Sequence, residues 1–201
     1  METSKYYMSD EDKIIKNPHD VLAFQAFWGG LKEVPEFLSA CKNLKSLNLS
    51  RNRIMELPDF IFAFEKLEEL DLSENKIKEI PKDIGKLKKL KRLDIGYNPI
   101  KSLADEIQAL RLEDLDMGSI NMTEIPDFIG NIRSLEILHI DNNNIKTIPV
   151  NFSRLSKLKK LHCEVTKLEK FDDAICQLSS LKYLGISEAE IKEIPDGITH
   201  Y

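Results

Sequence analysis

Apolar and polar residues along this chain follow a pattern that starts over at a fixed interval. Leu44-Lys45-Ser46-Leu47-Asn48-Leu49-Ser50-Arg51-Asn52-Arg53-Ile54 returns as Leu67-Glu68-Glu69-Leu70-Asp71-Leu72-Ser73-Glu74-Asn75-Lys76-Ile77, and the pattern recurs toward the C-terminus. The first leucine of each unit falls at Leu44, Leu67, Leu90, Leu112, Leu135, Leu158 and Leu181. Every step is 23 residues except that from Leu90 to Leu112, which is 22. Alternating apolar residues such as Leu47 and Leu49 predict a short strand with one buried face, and identical strands in successive units pair in parallel about 4.8 Å apart. Asn52, Asn75, Asn98 and Asn143 sit where the chain turns inward, and an amide there can satisfy backbone groups that would otherwise be buried unpaired. Pro35, Pro58, Pro81, Pro126, Pro149 and Pro195 follow, and the fixed φ of proline sends the chain to the opposite side. Short helical or 3-10 turns are expected there. Their buried points are Ile61, Ile84, Ile107, Ile129, Phe152, Ile175 and Ile198, with Phe64, Leu87, Leu110, Ile132, Leu155 and Leu178 behind them.

A single unit buries too few side chains to offset the entropy of ordering its backbone, so stability must come from stacking on its neighbours. The sequence predicts one cooperative repeat domain over residues 21–201. Residues 21–43 form a degenerate first unit, in which Val21, Phe24, Ala26, Leu31 and Val34 fit the template with weaker residues. Full units begin at 44, 67, 90, 112, 135 and 158, and an incomplete one at 181. Residues 1–20 are polar, with a helix start at Ser9-Asp10-Glu11-Asp12, and are expected to be an N-terminal cap, through Tyr6, Tyr7, Ile14 or Ile15, or else a flexible tail. At the other end the pattern stops partway through a unit, beside Ile186, Ile191 and Ile194. That predicts an open strand edge available for self-association, or a longer parent protein. The pattern also departs from itself, with Ala104 and Asp172 in place of proline and Ile120, Thr166 and Ala189 in place of asparagine. A local change of curvature is expected around Ala104 to Ile120.

These residues resemble the leucine-rich repeat motif L-x-x-L-x-L-x-x-N-x-L over nearly the whole chain. The segment Ile80-Pro81-Lys82-Asp83-Ile84-Gly85-Lys86-Leu87-Lys88-Lys89-Leu90 is similar to the 23-residue class of Ras-suppressor and Ras-pathway scaffold proteins, plant Ras-group proteins and many bacterial repeat arrays. The resemblance implies an α/β solenoid, a horseshoe with a parallel concave β-sheet and short helical or 3-10 turns on its convex side. It also implies protein binding on the concave face. The motif residues are structural, so the resemblance assigns no catalytic or ligand residue.

Strand register sets the residues that line the concave face. Those expected to contact a protein partner are Trp28, Arg51, Glu69, Asp71, Glu74, Arg92, Asp94, Tyr97, Asp114, Asp116, His139, Asp141, His162, Glu164 and Tyr183. Carboxylates dominate this set, and Asp71, Asp94 and Asp116 should stack on adjacent strands, where like charges repel. A partner with a basic surface or segment would relieve that repulsion, although aspartate also serves there simply to keep a strand soluble. Trp28, Tyr97 and Tyr183 have the large rigid area of interface anchors. For Trp28, packing under the N-terminal segment is the competing expectation.

The chemistry that would mark other functions is missing from the sequence. It has no phosphate-cradling glycine loop, nucleophile elbow or Cys-x-x-Cys pair, so no enzyme activity and no cofactor are expected. His139 and His162 share a strand position in adjacent units, and imidazoles so placed can approach a common ion, but histidine is also common on soluble faces and no metal is assigned. The formal net charge of -5 argues against nucleic acid. No apolar run is long enough to insert in a membrane. Three cysteines, at Cys41, Cys163 and Cys176, are not arranged to pair, which favours a cytoplasmic setting, with secretion by an unconventional route as the alternative. The sequence therefore predicts a non-enzymatic interaction module. The alternatives are the recognition portion of a larger signalling protein or bacterial effector, and a self-associating structural array.

Overall fold

A computed structural model describes residues 5–170 and 173–192. The chain divides into two compact units, Met1–Leu110 and Arg111–Tyr201, and the division falls inside the 22-residue step.

The first unit contains β1 (Lys5–Tyr7), β2 (Ala23–Gln25), β3 (Ser46–Asn48), β4 (Glu69–Asp71), β5 (Glu79–Ile80), β6 (Arg92–Asp94) and β7 (Ser102–Leu103). Strands β1, β2, β3, β4 and β6 pair in that order, all parallel, while β5 and β7 form a separate two-stranded ladder. Phe24, Leu47, Leu70 and Leu93, the central residues of β2, β3, β4 and β6, are register partners and are buried. Each such side chain removed from water contributes about 1.5 to 3 kcal/mol, so one leucine per unit recurring in register builds a continuous core. Strand β1 precedes the first repeat and extends the sheet. It is followed by α1 (Glu11–Lys16), which buries Ile14 and leaves Ile15 exposed.

The second unit pairs β8 (Asp114–Asp116), β9 (Ile137–His139), β10 (Lys160–His162) and β11 (Tyr183–Gly185), again in parallel and in chain order. Leu115, Leu138 and Leu161 form its buried central row.

Single 3-10 turns return the chain in both units, over Glu36–Ala40, Asp59–Ala63, Lys82–Lys86, Asp105–Ala109, Asp127–Asn131 and Val150–Arg154. A short helix, α2 (Asp173–Cys176), takes the equivalent place in the next repeat. Proline precedes five of the six turns, and its carbonyl accepts the first turn bond, as from Ile61 to Pro58 (3.1 Å) and Ile84 to Pro81 (3.0 Å). Ala104 takes the same extended conformation (φ -68°, ψ 140°) and accepts from Ile107, so proline biases the corner without being essential. The missing residue of the 22-residue step is removed just after this turn. Leu110 is extended there (ψ 160°), whereas Phe64, Leu87, Ile132 and Leu155 carry ψ of 78°, 63°, 70° and 61° at the same place. The buried points expected behind the turns are all buried from Ile61 to Leu178. Asp172, Ile194, Pro195 and Ile198 lie outside the described residues.

Candidate functional site

Asparagine holds four of the inward turns, at Asn52, Asn75, Asn98 and Asn143. Asn75 is buried, its Nδ2 donates to the carbonyls of Leu49 (2.9 Å) and Leu72 (3.0 Å), and its Oδ1 accepts the N–H of Ile54 (3.0 Å). Asn52, Asn98 and Asn143 repeat this arrangement, while Thr166 keeps a single bond, to the carbonyl of Cys163 (2.9 Å). The residue ahead of each anchor is forced into the left-handed region. Trp28, Arg51, Glu74, Tyr97, Ser119, Asn142, Val165 and Glu188 have φ between 52° and 60°. That conformation costs a residue with a Cβ about 1 kcal/mol or more, and at Arg51, Glu74, Tyr97, Asn142 and Val165 the buried Asn or Thr that follows holds the corner in place. It also turns these side chains outward at the rim of the strand face.

In the first unit the rim brings three of the expected residues together. The guanidinium of Arg51 lies over the Trp28 ring, 5.1 Å from its centroid, and its Nε donates to Glu74 at 2.7 Å. Trp28 is 70% exposed and Tyr97 59%, so neither is folded beneath described residues of the N-terminal segment. On the strands, Glu69 is the register partner of Arg92 and accepts from the Ser46 hydroxyl, and Asp71 is the partner of Asp94. The repulsion expected between these two aspartates is met locally. Asp71 accepts the Ser73 N–H (3.0 Å), the Ser73 hydroxyl (2.7 Å) and the Asn48 amide (2.8 Å), and Asp94 accepts the Gly96 N–H (3.0 Å).

In the second unit Asp116 begins a row that continues through the histidines: Asp116, His139, His162 and Gly185 align across β8 to β11. The imidazoles of His139 and His162 stack face to face, with centroids 4.2 Å apart and planes 7° from parallel. Tyr183 leans diagonally onto His162 at 4.6 Å and donates its hydroxyl to Glu164 (2.9 Å). Nδ1 of His162 lies 3.4 Å from Glu164, and Nδ1 of His139 lies 3.8 Å from Asp141. A Cβ at Gly185 would strike the Glu164 carboxylate, and one at Gly118 would crowd both Asp116 and Asp141. Burial pushes the Asp116 carboxyl up, with the charges of Asp141 and Asp114 adding to the shift. Burial pushes Glu164 up as well, but its own backbone amide, the Tyr183 hydroxyl and His162 outweigh it and hold that carboxyl below the usual range. Asp114 stands on the same strand as Asp116, one row away. Parallel imidazole planes aim their ring nitrogens side by side and not at a common point. Among the described residues no cluster of three or more histidine, cysteine or acidic side chains is arranged to hold a metal ion.

The family model described as Leucine rich repeat matches residues 42–100, and a second leucine-rich repeat model matches 134–155. The chain is a leucine-rich repeat protein. Among solved structures, a leucine-rich repeat protein of Leptospira interrogans superposes with a TM-score of 0.71 at 26% identity, over 96% of this chain and 61% of that one. Internalin C2 of Listeria monocytogenes gives 0.79 at 21% identity, over 92% and 79%. TLR13, solved in complex with ssRNA13, gives 0.76 at 21% identity, over 97% and 29%. The likenesses to internalin C2 and TLR13 are those of the fold alone. This chain thus spans 61% of the length of the Leptospira protein. No curated protein matches the sequence significantly.

The leucine-rich repeat fold is that of a protein-interaction module, and the expected contact residues stand on the strands or on their outward rim, except Asp141 and Glu164, which lie two residues past β9 and β10. What the sequence reading missed is the bracket formed by the last strand residue. Asn48, Asp71, Asp94 and Asp116 each accept the N–H two residues on, at 3.0, 3.0, 3.0 and 2.8 Å. The signal was present as Asn48-Leu49-Ser50, Asp71-Leu72-Ser73, Asp94-Ile95-Gly96 and Asp116-Met117-Gly118, where a small residue always follows at that distance. These carboxylates therefore shape the repeat as well as charge its surface. The phenylalanines on the turn side pack inward: Phe37 meets Phe24 and Phe60 meets Phe64 edge to face, and Phe62 is buried.

Proposed function

We propose that this chain is a non-enzymatic adaptor that grips a basic segment or domain of another protein on its strand face. The observation that carries the reading is the division of labour within each strand. The inward position is apolar in every repeat, whereas the outward positions, on the strands and just past them, are richest in carboxylates: Glu69, Asp71, Asp94, Asp114, Asp116, Asp141 and Glu164 against Arg92 and Lys160. Packing accounts for the first pattern and the turn bracket for an acceptor at Asp71, Asp94 and Asp116, but neither calls for the carboxylates of Glu69, Asp114, Asp141 and Glu164. Such a face repels the phosphates of nucleic acid and attracts lysine and arginine, steering association at low ionic strength. The rim residues Trp28, Arg51 and Tyr97 add the side-chain types that anchor interfaces. No helix among the described residues is long and apolar enough to cross a membrane. The free thiols of Cys41, Cys163 and Cys176 support a reducing, cytoplasmic setting.

Affinity capture from lysate of the native cell tests the reading, comparing the wild-type chain with Asp71→Asn, Asp94→Asn, Asp116→Asn. Asparagine keeps the oxygen that accepts the neighbouring N–H, so the variant removes charge and retains the bracket. A basic partner retained by the wild-type chain and released by the variant and by raised salt is expected. Identical captured proteins on both would refute an acidic binding face.

A further inference from the structure

We propose that the stacked pair His139 and His162, on the strand face of β8 to β11, is a latch that mild acid opens. The rings stack while both are neutral; once both are charged, His139 leaves His162 for the carboxylates of Asp116 and Asp141. Imidazole is the side chain whose ordinary charge change falls between about pH 5 and 8. Both rings reach water, with 29% of the His139 side chain and 24% of that of His162 exposed, so protons have access to the stack. Neutral rings pack favourably face to face at 4.2 Å. Two imidazolium rings at that distance set like charges against each other, which favours their separation.

The charged groups around the pair decide which ring moves and where it goes. Toward β11, His162 is held. Its Nδ1 lies 3.4 Å from Glu164, which also accepts the Tyr183 hydroxyl, and the Tyr183 ring leans on it at 4.6 Å. These contacts keep Glu164 charged, so a protonated His162 has a counter-ion without moving. Toward β8 the balance differs. A Cβ at Gly118 would stand 3.2 Å from both Asp116 Oδ1 and Asp141 Oδ2, so two carboxylates converge over one glycine, with Asp114 one row away on β8. Lys160, the lysine of these four strands, lies in another row, aligned with Ile137 and Tyr183. Burial, together with the charges of Asp141 and Asp114, pushes the Asp116 carboxyl up, and a charge on His139 acts against that rise. His139 is the register neighbour of Asp116, and its Nδ1 is already 3.8 Å from Asp141. Protonated, it brings these two carboxylates a cation. Rotation about its side-chain bonds exchanges the stack for that contact and leaves the strand pairing intact. The face therefore offers one shape and charge at neutral pH and another in mild acid, whichever partner it binds.

Nuclear Overhauser contacts between ring protons of the full chain, carrying isotope-labelled histidine and tyrosine and followed from about pH 7.5 to about pH 5, test the latch. His139→Gln and His162→Gln assign the resonances. The contact between His139 and His162 is expected at neutral pH and lost in acid, while that between His162 and Tyr183 persists. Asp116→Asn with Asp141→Asn removes the charge that draws His139 away and keeps the oxygen that accepts the Gly118 N–H. In this variant the histidine contact should survive at the pH where the wild-type chain has lost it. Far-ultraviolet circular dichroism at both ends of the range checks the fold, and Asp141→Asn alone carries the same comparison should the double variant not fold. A wild-type contact that persists throughout would overturn the latch. So would its loss at the same pH in the charge-neutral variant, which makes the separation one of general charging, or its loss together with the His162 to Tyr183 contact, which means that the whole row loosens.

Discussion

Replacing Asn75 with alanine should cost this protein a large part of its stability, and the structure says how much. The amide of Asn75 is buried and joins two repeats: Oδ1 accepts the Ile54 N–H, and Nδ2 donates to the carbonyls of Leu49 and Leu72. Alanine leaves the Ile54 N–H without that partner at about 1 to 3 kcal/mol and weakens two carbonyls at about 1 kcal/mol each, a total of roughly 3 to 5 kcal/mol. Native stabilities of about 5 to 15 kcal/mol make such a loss easy to measure. Asn75→Thr is the internal control, because Thr166 in the equivalent position keeps one bond, to the carbonyl three residues back. It should recover about 1 kcal/mol of the deficit. Equilibrium urea unfolding, followed by far-ultraviolet circular dichroism and by the fluorescence of Trp28 in the same compact unit, gives the free energies and tests their cooperativity. A loss below about 1 kcal/mol for Asn75→Ala, or no advantage for Asn75→Thr, would refute the view that the amide ladder carries the turns.

Three further outcomes are expected. Val165 is β-branched with φ 52° and is 42% exposed, so Val165→Asn should raise the urea midpoint by the equivalent of about 0.5 to 1 kcal/mol; a lower midpoint would show that its packing outweighs its strain. Burial pushes the Cys163 thiol up to about 12 and raises that of Cys41, whereas Cys176 is half-buried, so a disulfide-exchange reagent at mild alkaline pH should label one thiol in the native chain and three after unfolding. The hydrogen bond to Glu164, together with its charge, raises the Tyr183 phenol. A group whose folded value is raised favours the folded state below its unfolded value and loses that contribution as pH rises through the folded one. Glu164→Gln should therefore move the highest phenolate step, read by absorbance, to lower pH, and an unmoved step would mean that the bond is not held in solution.

The repeat period, the buried face of each strand and the corner at each proline were legible because they rest on local physics. A strand with one buried face must alternate, a reversal needs a residue that fixes φ, and a buried turn needs an amide. Stacking copies these needs at a constant interval, so Leu47, Pro58 and Asn75 announce themselves. The N-terminal strand Lys5–Tyr7 was not legible, because three residues that lack the alternating apolar face of the repeats gain their place only by pairing with Ala23–Gln25. The left-handed corner was hidden for another reason. It is occupied by Trp28, Arg51, Glu74, Tyr97 and Val165, none of which favours positive φ, so residue type gave no sign of a conformation imposed by the neighbouring anchor.

For the candidate site, the sequence by itself determined which side chains stand outward and that carboxylates dominate among them, because register follows from the same alternation that builds the core. Only the tertiary structure decided what those side chains do to one another. Asp71 and Asp94 are partners, yet Asp71 is engaged by Ser73 and Asn48 within its own sheet. His139 and His162 stack face to face, and Glu164 lies against Gly185 to meet Tyr183. Apart from that of Asp71 with Ser73, these pairings join residues about a full repeat apart in the chain, and their geometry depends on rotamers and on space left by glycine. A one-dimensional pattern carries the order of residues; contact between neighbours on different strands exists only once the strands have paired.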